Sequence, residues 1–139
     1  MKVFLDTTYL LPAIGISIDL PEELIEKLFL SNHLLIISQL SLFELFGKAS
    51  RYFPNAKKRF YEGMKSILAS KIEVKPILSL DNLSKVIEIH EKIKDLADCI
   101  IVASAMTYAD ILLSEAKDIQ KVITDFKILD LKKFARKYL

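Results

Sequence analysis

Three carboxylic acids in this chain stand in strongly apolar surroundings. Asp6 closes the run Val3-Phe4-Leu5-Asp6, Glu44 interrupts Leu40-Ser41-Leu42-Phe43-Glu44-Leu45-Phe46, and Asp98 opens Asp98-Cys99-Ile100-Ile101-Val102-Ala103-Ser104-Ala105-Met106. A carboxylate beside that much hydrocarbon is costly unless it is hydrogen-bonded, ion-paired or bound to a metal. One shared cation would satisfy all three. Carboxylates gathered into one site raise one another's pKa, and a divalent ion relieves that repulsion. An oxygen-only donor set selects Mg2+ or Mn2+ over zinc. Such an ion can acidify a bound water and hold a phosphate for in-line attack.

Each acid also has a plain structural reading. Ser41-Leu42-Phe43-Glu44 fits a capping box, with Glu44 folding back to a helix start. Asp98 suits a first helical turn with Asp95 as the N-cap, and Asp6 suits a strand end that becomes a turn. None of these explains why three separate acids occupy such apolar context.

Other chemistries have little support. Gly15, Gly47 and Gly63 are the only glycines, too few and too scattered for a phosphate-binding loop or a dinucleotide fingerprint. His33 and His90 are isolated, with no partner at a zinc-ligand spacing, and read as structural. Cys99 is the sole cysteine, which excludes an internal disulfide and reads as a small core residue in a reducing compartment. The net charge of +2 is too small to imply nucleic-acid binding, so any such surface must come from local clusters. Lys57, Lys58 and Arg59 form one, Lys48 and Arg51 lie upstream, and Tyr52 and Phe53 interleave as possible stacking platforms. Lys132, Lys133, Arg136 and Lys137 form another. A run of this kind is usually a solvated helix face.

The elements that must position the acids follow from periodicity. Short apolar runs over 2–6, 34–37, 72–74, 111–114 and 126–129 read as strands, the last a possible fifth. Between them, helices start near Pro21, at Ser38 or Ser41, at Pro54, near Leu80 and near Leu96, and a basic helix runs from Leu131 to Tyr138. The expected core faces are Leu24, Ile25, Leu28 and Phe29, then Phe60, Met64, Ile67 and Leu68, then Leu80, Leu83, Val86, Ile87 and His90. Strands apolar on both faces, alternating with helices, predict an α/β fold. It has three α/β/α layers around a central, mostly parallel sheet of four to five strands, in one domain over 1–139. Ligands of such sheets gather at the carboxyl ends of the strands, where Asp6 sits. No apolar run reaches the length of a membrane span and the N-terminus lacks signal-peptide character, so a soluble cytoplasmic protein is expected. Abundant Lys, Glu and Ile with few Asn and Gln point weakly to thermostability.

With the acids placed, the chain resembles a PIN domain, and within that family the VapC-type toxin ribonucleases. The likeness rests on Phe4-Leu5-Asp6-Thr7-Thr8-Tyr9-Leu10, on Ser38-Gln39-Leu40-Ser41-Leu42-Phe43-Glu44-Leu45, and on Asp98-Cys99-Ile100-Ile101-Val102-Ala103-Ser104-Ala105. It covers nearly the whole chain. The resemblance implies a PIN-like fold and an endoribonuclease that hydrolyses RNA phosphodiester bonds with a Mg2+ or Mn2+ centre, leaving a 5′-phosphate and a 3′-hydroxyl. It implies that Asp6, Glu44 and Asp98 are the metal ligands, directly or through water. Thr7, Ser114 and Asp95 are then candidates for orienting them, and Lys48, Arg51, Lys57, Lys58 and Arg59 for contacting RNA. It further implies a homodimer silenced by an antitoxin protein that buries an apolar segment in a groove near Phe43, Phe46, Tyr52 and Phe53. The chain departs from the family at one point: after Ser114 the fourth acidic place is Ala116, with Glu115 and Asp118 as neighbouring substitutes. That departure keeps a second reading open, a catalytically degenerate PIN module that binds RNA or a protein partner.

Overall fold

The computed structural model describes residues 1–139. Five strands, β1 (Lys2–Leu5), β2 (Leu34–Ser38), β3 (Glu73–Lys75), β4 (Ile111–Leu113) and β5 (Ile128–Leu129), form one sheet in the order β3-β2-β1-β4-β5. Every neighbouring pair is parallel. Around it lie a 3-10 helix over Thr7–Ile14 and seven α-helices: α1 (Glu22–Leu30), α2 (Gln39–Tyr52), α3 (Ala56–Ala69), α4 (Leu80–His90), α5 (Leu96–Tyr108), α6 (Lys117–Val122) and α7 (Leu131–Tyr138). None of them is long and apolar enough to cross a membrane.

The strands are apolar on both faces because both faces are covered. Val3, Leu5, Leu35, Ile37, Ile111 and Leu113 point into one core, shared with the 3-10 helix, Leu28 of α1, Leu45 and Ala49 of α2, Ile67 of α3 and Leu131 and Phe134 of α7. Phe4, Ile36 and Leu112, one residue out of phase, point into a second core built from α4, α5 and α6. The expected three-layer parallel architecture is therefore present, with strand positions shifted by a residue or two: β3 starts at Glu73 and β5 at Ile128.

Three expectations are corrected. α2 starts at Gln39 with Ser38 as its N-cap, whose hydroxyl accepts the Leu40 N–H, so Ser41 and Glu44 lie inside the helix and form no capping box. On α3, Leu68 is exposed and Gly63 takes its place in the interface. A Cβ at residue 63 would meet Ile14 Cγ2 at 2.6 Å, so the missing side chain is what lets α3 close on the 3-10 helix. On α4, Leu80, Leu83 and Ile87 face solvent and His90 is exposed, while Asn82, Val86 and Ile89 are buried. Burial of Asn82 is made possible by partners: its amide donates to Ser104 Oγ at 3.0 Å and its carbonyl accepts the Ser79 N–H at 2.8 Å. The six-residue α6 carries no periodic signal long enough to have been read from the sequence.

Candidate active site

The parallel sheet delivers Asp6 and Ser114 to the same edge. Asp6 is the first residue past β1 and Ser114 the first past β4, its neighbour. The Asp6 N–H donates to Leu113 O at 3.0 Å, which extends the strand pairing by one bond. Asp6 then caps the 3-10 helix. Its Oδ1 accepts the Thr7 N–H at 2.7 Å, and its Oδ2 accepts the Ser114 hydroxyl at 2.9 Å. Both carboxylate oxygens are thus held, each with a lone pair to spare. Ser114 is held in turn, since its Oγ accepts the Ala116 N–H at 3.2 Å.

Glu44 arrives from α2, the helix that follows β2, the other neighbour of the central strand β1. The Thr7 hydroxyl donates to Glu44 Oε1 at 2.8 Å and lies 2.9 Å from the buried Ser41 hydroxyl. Thr7 has one proton to give and the carboxylate can only accept it, so Ser41 supplies the proton of the second contact. Ser41 stands one helical turn before Glu44, on the same face of α2, which is the sequence signal for this role. Asp98 sits in the first turn of α5, where Asp95 is the N-cap and its Oδ1 accepts the Asp98 N–H at 2.9 Å.

These carboxyls share an electrostatic environment. Burial raises the Asp6 pKa against the opposing pull of the Ser114 and Thr7 hydrogen bonds. Burial also raises that of Glu44; the Thr7 bond opposes it, the charges of Asp6 and Asp95 reinforce it, and Lys48 opposes it weakly. Asp98 is pushed up to about 6 by burial, then by the charges of Asp95, Asp6, Glu44 and Asp118. Asp98 therefore senses both other acids and Asp118 as well.

No lysine, arginine or histidine pairs with Asp6, Glu44 or Asp98 within 4.0 Å; the chain's ion pairs involve Glu23, Glu73, Glu88 and Asp130. Three mutually repelling carboxylates without a cation fit a hard divalent ion in charge and in donor type. No three His, Cys, Asp or Glu side chains converge closely enough to ligate one ion directly. The set therefore fits an ion that keeps several waters, as Mg2+ does, rather than a fully protein-ligated one.

The two substitutes for the fourth acid go to different places. Glu115 is held by other partners: its Oε2 accepts the Tyr9 hydroxyl at 2.6 Å and the Leu131 N–H at 3.0 Å, tying the 3-10 helix to the start of α7. Burial, then the bond to Glu115, drives the Tyr9 pKa far upward, so the phenol stays a donor. Asp118 is exposed on α6, in a cleft it shares with Asp95 and Asp98. Of the candidate RNA-contacting cations, Lys48 lies near enough to act on Glu44. Lys57 and Lys58 point to solvent from α3, and Arg51 is exposed in the last turn of α2. Arg59 is engaged elsewhere, its guanidinium 4.8 Å from the Phe53 ring centre and packed over Gly15, where a Cβ would meet it at 2.7 Å.

Comparison with known proteins agrees with this fold. Three solved structures share the fold. A chain of the VapBC2 complex from Rickettsia felis, solved bound to a DNA fragment from their promoter, has a TM-score of 0.70 at 19% identity, covering 94% of this chain and 98% of that one. A chain of VapBC-1 from nontypeable Haemophilus influenzae has a TM-score of 0.73 at 17% identity, covering 95% and 99%. A chain of DNA-bound VapBC from Salmonella typhimurium has a TM-score of 0.71 at 18% identity, covering 94% and 98%. The sequence comparison with curated proteins gave no match. The family model described as PIN domain matches residues 3–124, a span that contains Asp6, Glu44, Asp98 and Ser114. The chain belongs to the PIN-domain family.

Proposed function

We propose that this protein is a cytoplasmic, metal-dependent endoribonuclease of the VapC-like toxin type. The observation that carries the reading is the set of three carboxyls, Asp6, Glu44 and Asp98, each with its pKa raised first by burial, with the charge of Asp6 acting on Glu44 and the charges of both acting on Asp98, and with no cationic side chain within 4.0 Å of any of them. Asp6, Glu44 and Asp98 would hold Mg2+ or Mn2+ largely through water. The bound ion would supply an acidified water and a clamp on the scissile phosphate. Thr7 and Ser114 fix the rotamers of Glu44 and Asp6, so the donor oxygens are in place before RNA arrives. Lys48 and Arg51 offer positive charge to the strand on the α2 side.

The partners follow the same reading. The similar structures are VapBC complexes, and an antitoxin is the expected partner here. Its apolar segment would lie along Leu42, Phe43, Phe60 and Met64 of α2 and α3, a shallow groove beside the exposed Phe43 and Phe46. A second copy of the chain would cover the exposed stripe Leu80, Leu83 and Ile87 of α4. Ala116 at the fourth acidic place, with Glu115 tied to Tyr9, supports the alternative of a catalytically degenerate module.

One experiment separates the two. Purified protein is incubated with a panel of single-stranded and structured RNAs in Mg2+, in Mn2+ and in EDTA, beside Asp6→Asn. The nuclease reading requires cleavage that needs the metal and disappears in the variant. A folded protein that binds RNA equally in EDTA and cuts none of the panel would establish the degenerate module instead.

A further inference from the structure

Beside Asp98 a cleft of about 260 Å3 opens between the α4–α5 loop (residues 91–95) and α6. Its apolar lining is Ile93, Ile119 and the exposed Val122, and Lys92 and Lys94 line it together with Asp95, Asp98 and Asp118. Neither lysine has a carboxylate within 4.0 Å, although three aspartates line the same cleft.

The loop that carries the lysines is held. The Lys92 and Ile93 N–H groups both donate to Ile89 O at 2.9 Å. The Ile93 carbonyl accepts the Cys99 Sγ–H at 3.0 Å and His90 Nδ1 at 3.1 Å, which assigns the proton of His90 to Nδ1. Cys99 directly follows Asp98, so the loop backbone is fastened to the residue next to the acid. The lysine stems therefore leave from positions that are fixed relative to Asp98.

We propose that Lys92 and Lys94 form a phosphate clamp for the RNA strand, holding a backbone phosphate next to the scissile one, with the flanking nucleotide resting on the exposed Val122. This rests on the ribonuclease reading. Charge decides how tightly the clamp holds. Two lysines against three aspartates leave the cleft at −1, which repels phosphate. A divalent ion shared by Asp98, Asp6 and Glu44 offsets two of the carboxylate charges beside the lysines, so the clamp holds RNA more tightly in the loaded enzyme. The lysines position the strand and take no part in the bond-breaking step.

The test is RNA binding to the whole protein by fluorescence anisotropy over a KCl series, with Ca2+ as the divalent ion, for wild type and for Lys92→Ala/Lys94→Ala. The control is Lys27→Ala/Lys85→Ala, which removes two lysines already paired with Glu23 and Glu88. The proposal expects the clamp variant to lose about one to two counterions from the salt slope and about tenfold in affinity at low salt. It expects an unchanged metal-induced rise in melting temperature, and in Mg2+ a raised KM with kcat retained. A slope and affinity equal to wild type, or a loss matched by the control, would overturn it. Wild type that cleaves RNA while the clamp variant binds normally removes the clamp and leaves the nuclease. Wild type that binds through these lysines but never cleaves removes the nuclease and leaves the clamp.

Discussion

Replacing Asp98 with Asn should make the metal-free protein more stable while destroying its response to metal. Asp98 is raised from 3.8 to about 6 in the folded chain, first by burial and then by Asp95, Asp6, Glu44 and Asp118. Two pKa units correspond to at most about 3 kcal/mol of charge-state penalty. The carboxyl is partly exposed, so screening reduces this to about 1 kcal/mol. An acid in a first helical turn also gains roughly 0.5 kcal/mol from the helix dipole, which Asn loses. The net expectation is about 0.5 kcal/mol, a rise in Tm of about 2 °C for a chain of this length in EDTA. The sign follows from linkage. A carboxyl whose folded pKa is raised binds more protons folded than unfolded, so stability falls as pH climbs from about 4 to about 6 and is level above that. The gap between variant and wild type should therefore be full at pH 7.5 and vanish near pH 4. Adding Mg2+ should reverse the order, since a ligand present at a hundredfold its Kd stabilises the folded state by about 2.7 kcal/mol, or about 9 °C here, and the variant should gain almost none of it. Differential scanning calorimetry in EDTA and in Mg2+, at both pH values, reads all of this. A variant that melts lower than wild type in EDTA, yet shows the same metal shift, would refute the shared-cation argument.

Three further outcomes follow from contacts around the site. Thr7→Val removes the donor to Glu44 Oε1 and the contact with Ser41, and should cost about 1–2 kcal/mol in denaturant unfolding while lowering Mg2+ affinity by about tenfold or more, read by calorimetric titration. Tyr9→Phe leaves Glu115 with only the Leu131 N–H, and should destabilise the chain by about 1–3 kcal/mol, read by denaturant unfolding. Gly63→Ala places a methyl 2.6 Å from Ile14 Cγ2 and 3.1 Å from the Ala13 carbonyl, so it should destabilise by about 1–3 kcal/mol in spite of its better helix propensity; a gain in Tm would show that α3 does not press on the 3-10 helix.

Elements covered on both sides could be read from the sequence, because their apolar runs need no knowledge of a partner. This holds for β1, β2, β4 and α5. α4 could not be read in the same way. Its apolar period marks Leu80, Leu83 and Ile87, but the face that turns inward is the one where Asn82 finds Ser79 and Ser104, partners that only the fold supplies. The acids themselves stood out by their surroundings. The role of Ser41 was obscured by a capping pattern that Ser38 fulfils instead. Glu115 could not be resolved either, since its position depends on Tyr9, 106 residues earlier, and on the N–H of Leu131.

The strand order has a consequence for biosynthesis. β1 is made first and ends up central, and its neighbour β4 follows only after about a hundred residues of intervening chain. Until Ser114 has left the ribosome, the carboxylate of Asp6 lacks the hydroxyl that holds its Oδ2, and the innermost strand has an open side. Pairings this distant close late and slowly. A nascent or prematurely terminated chain ending before β4 therefore carries Asp6, Glu44 and Asp98 without the frame that aligns them, and the three acids take up their arrangement only after β4 has been made.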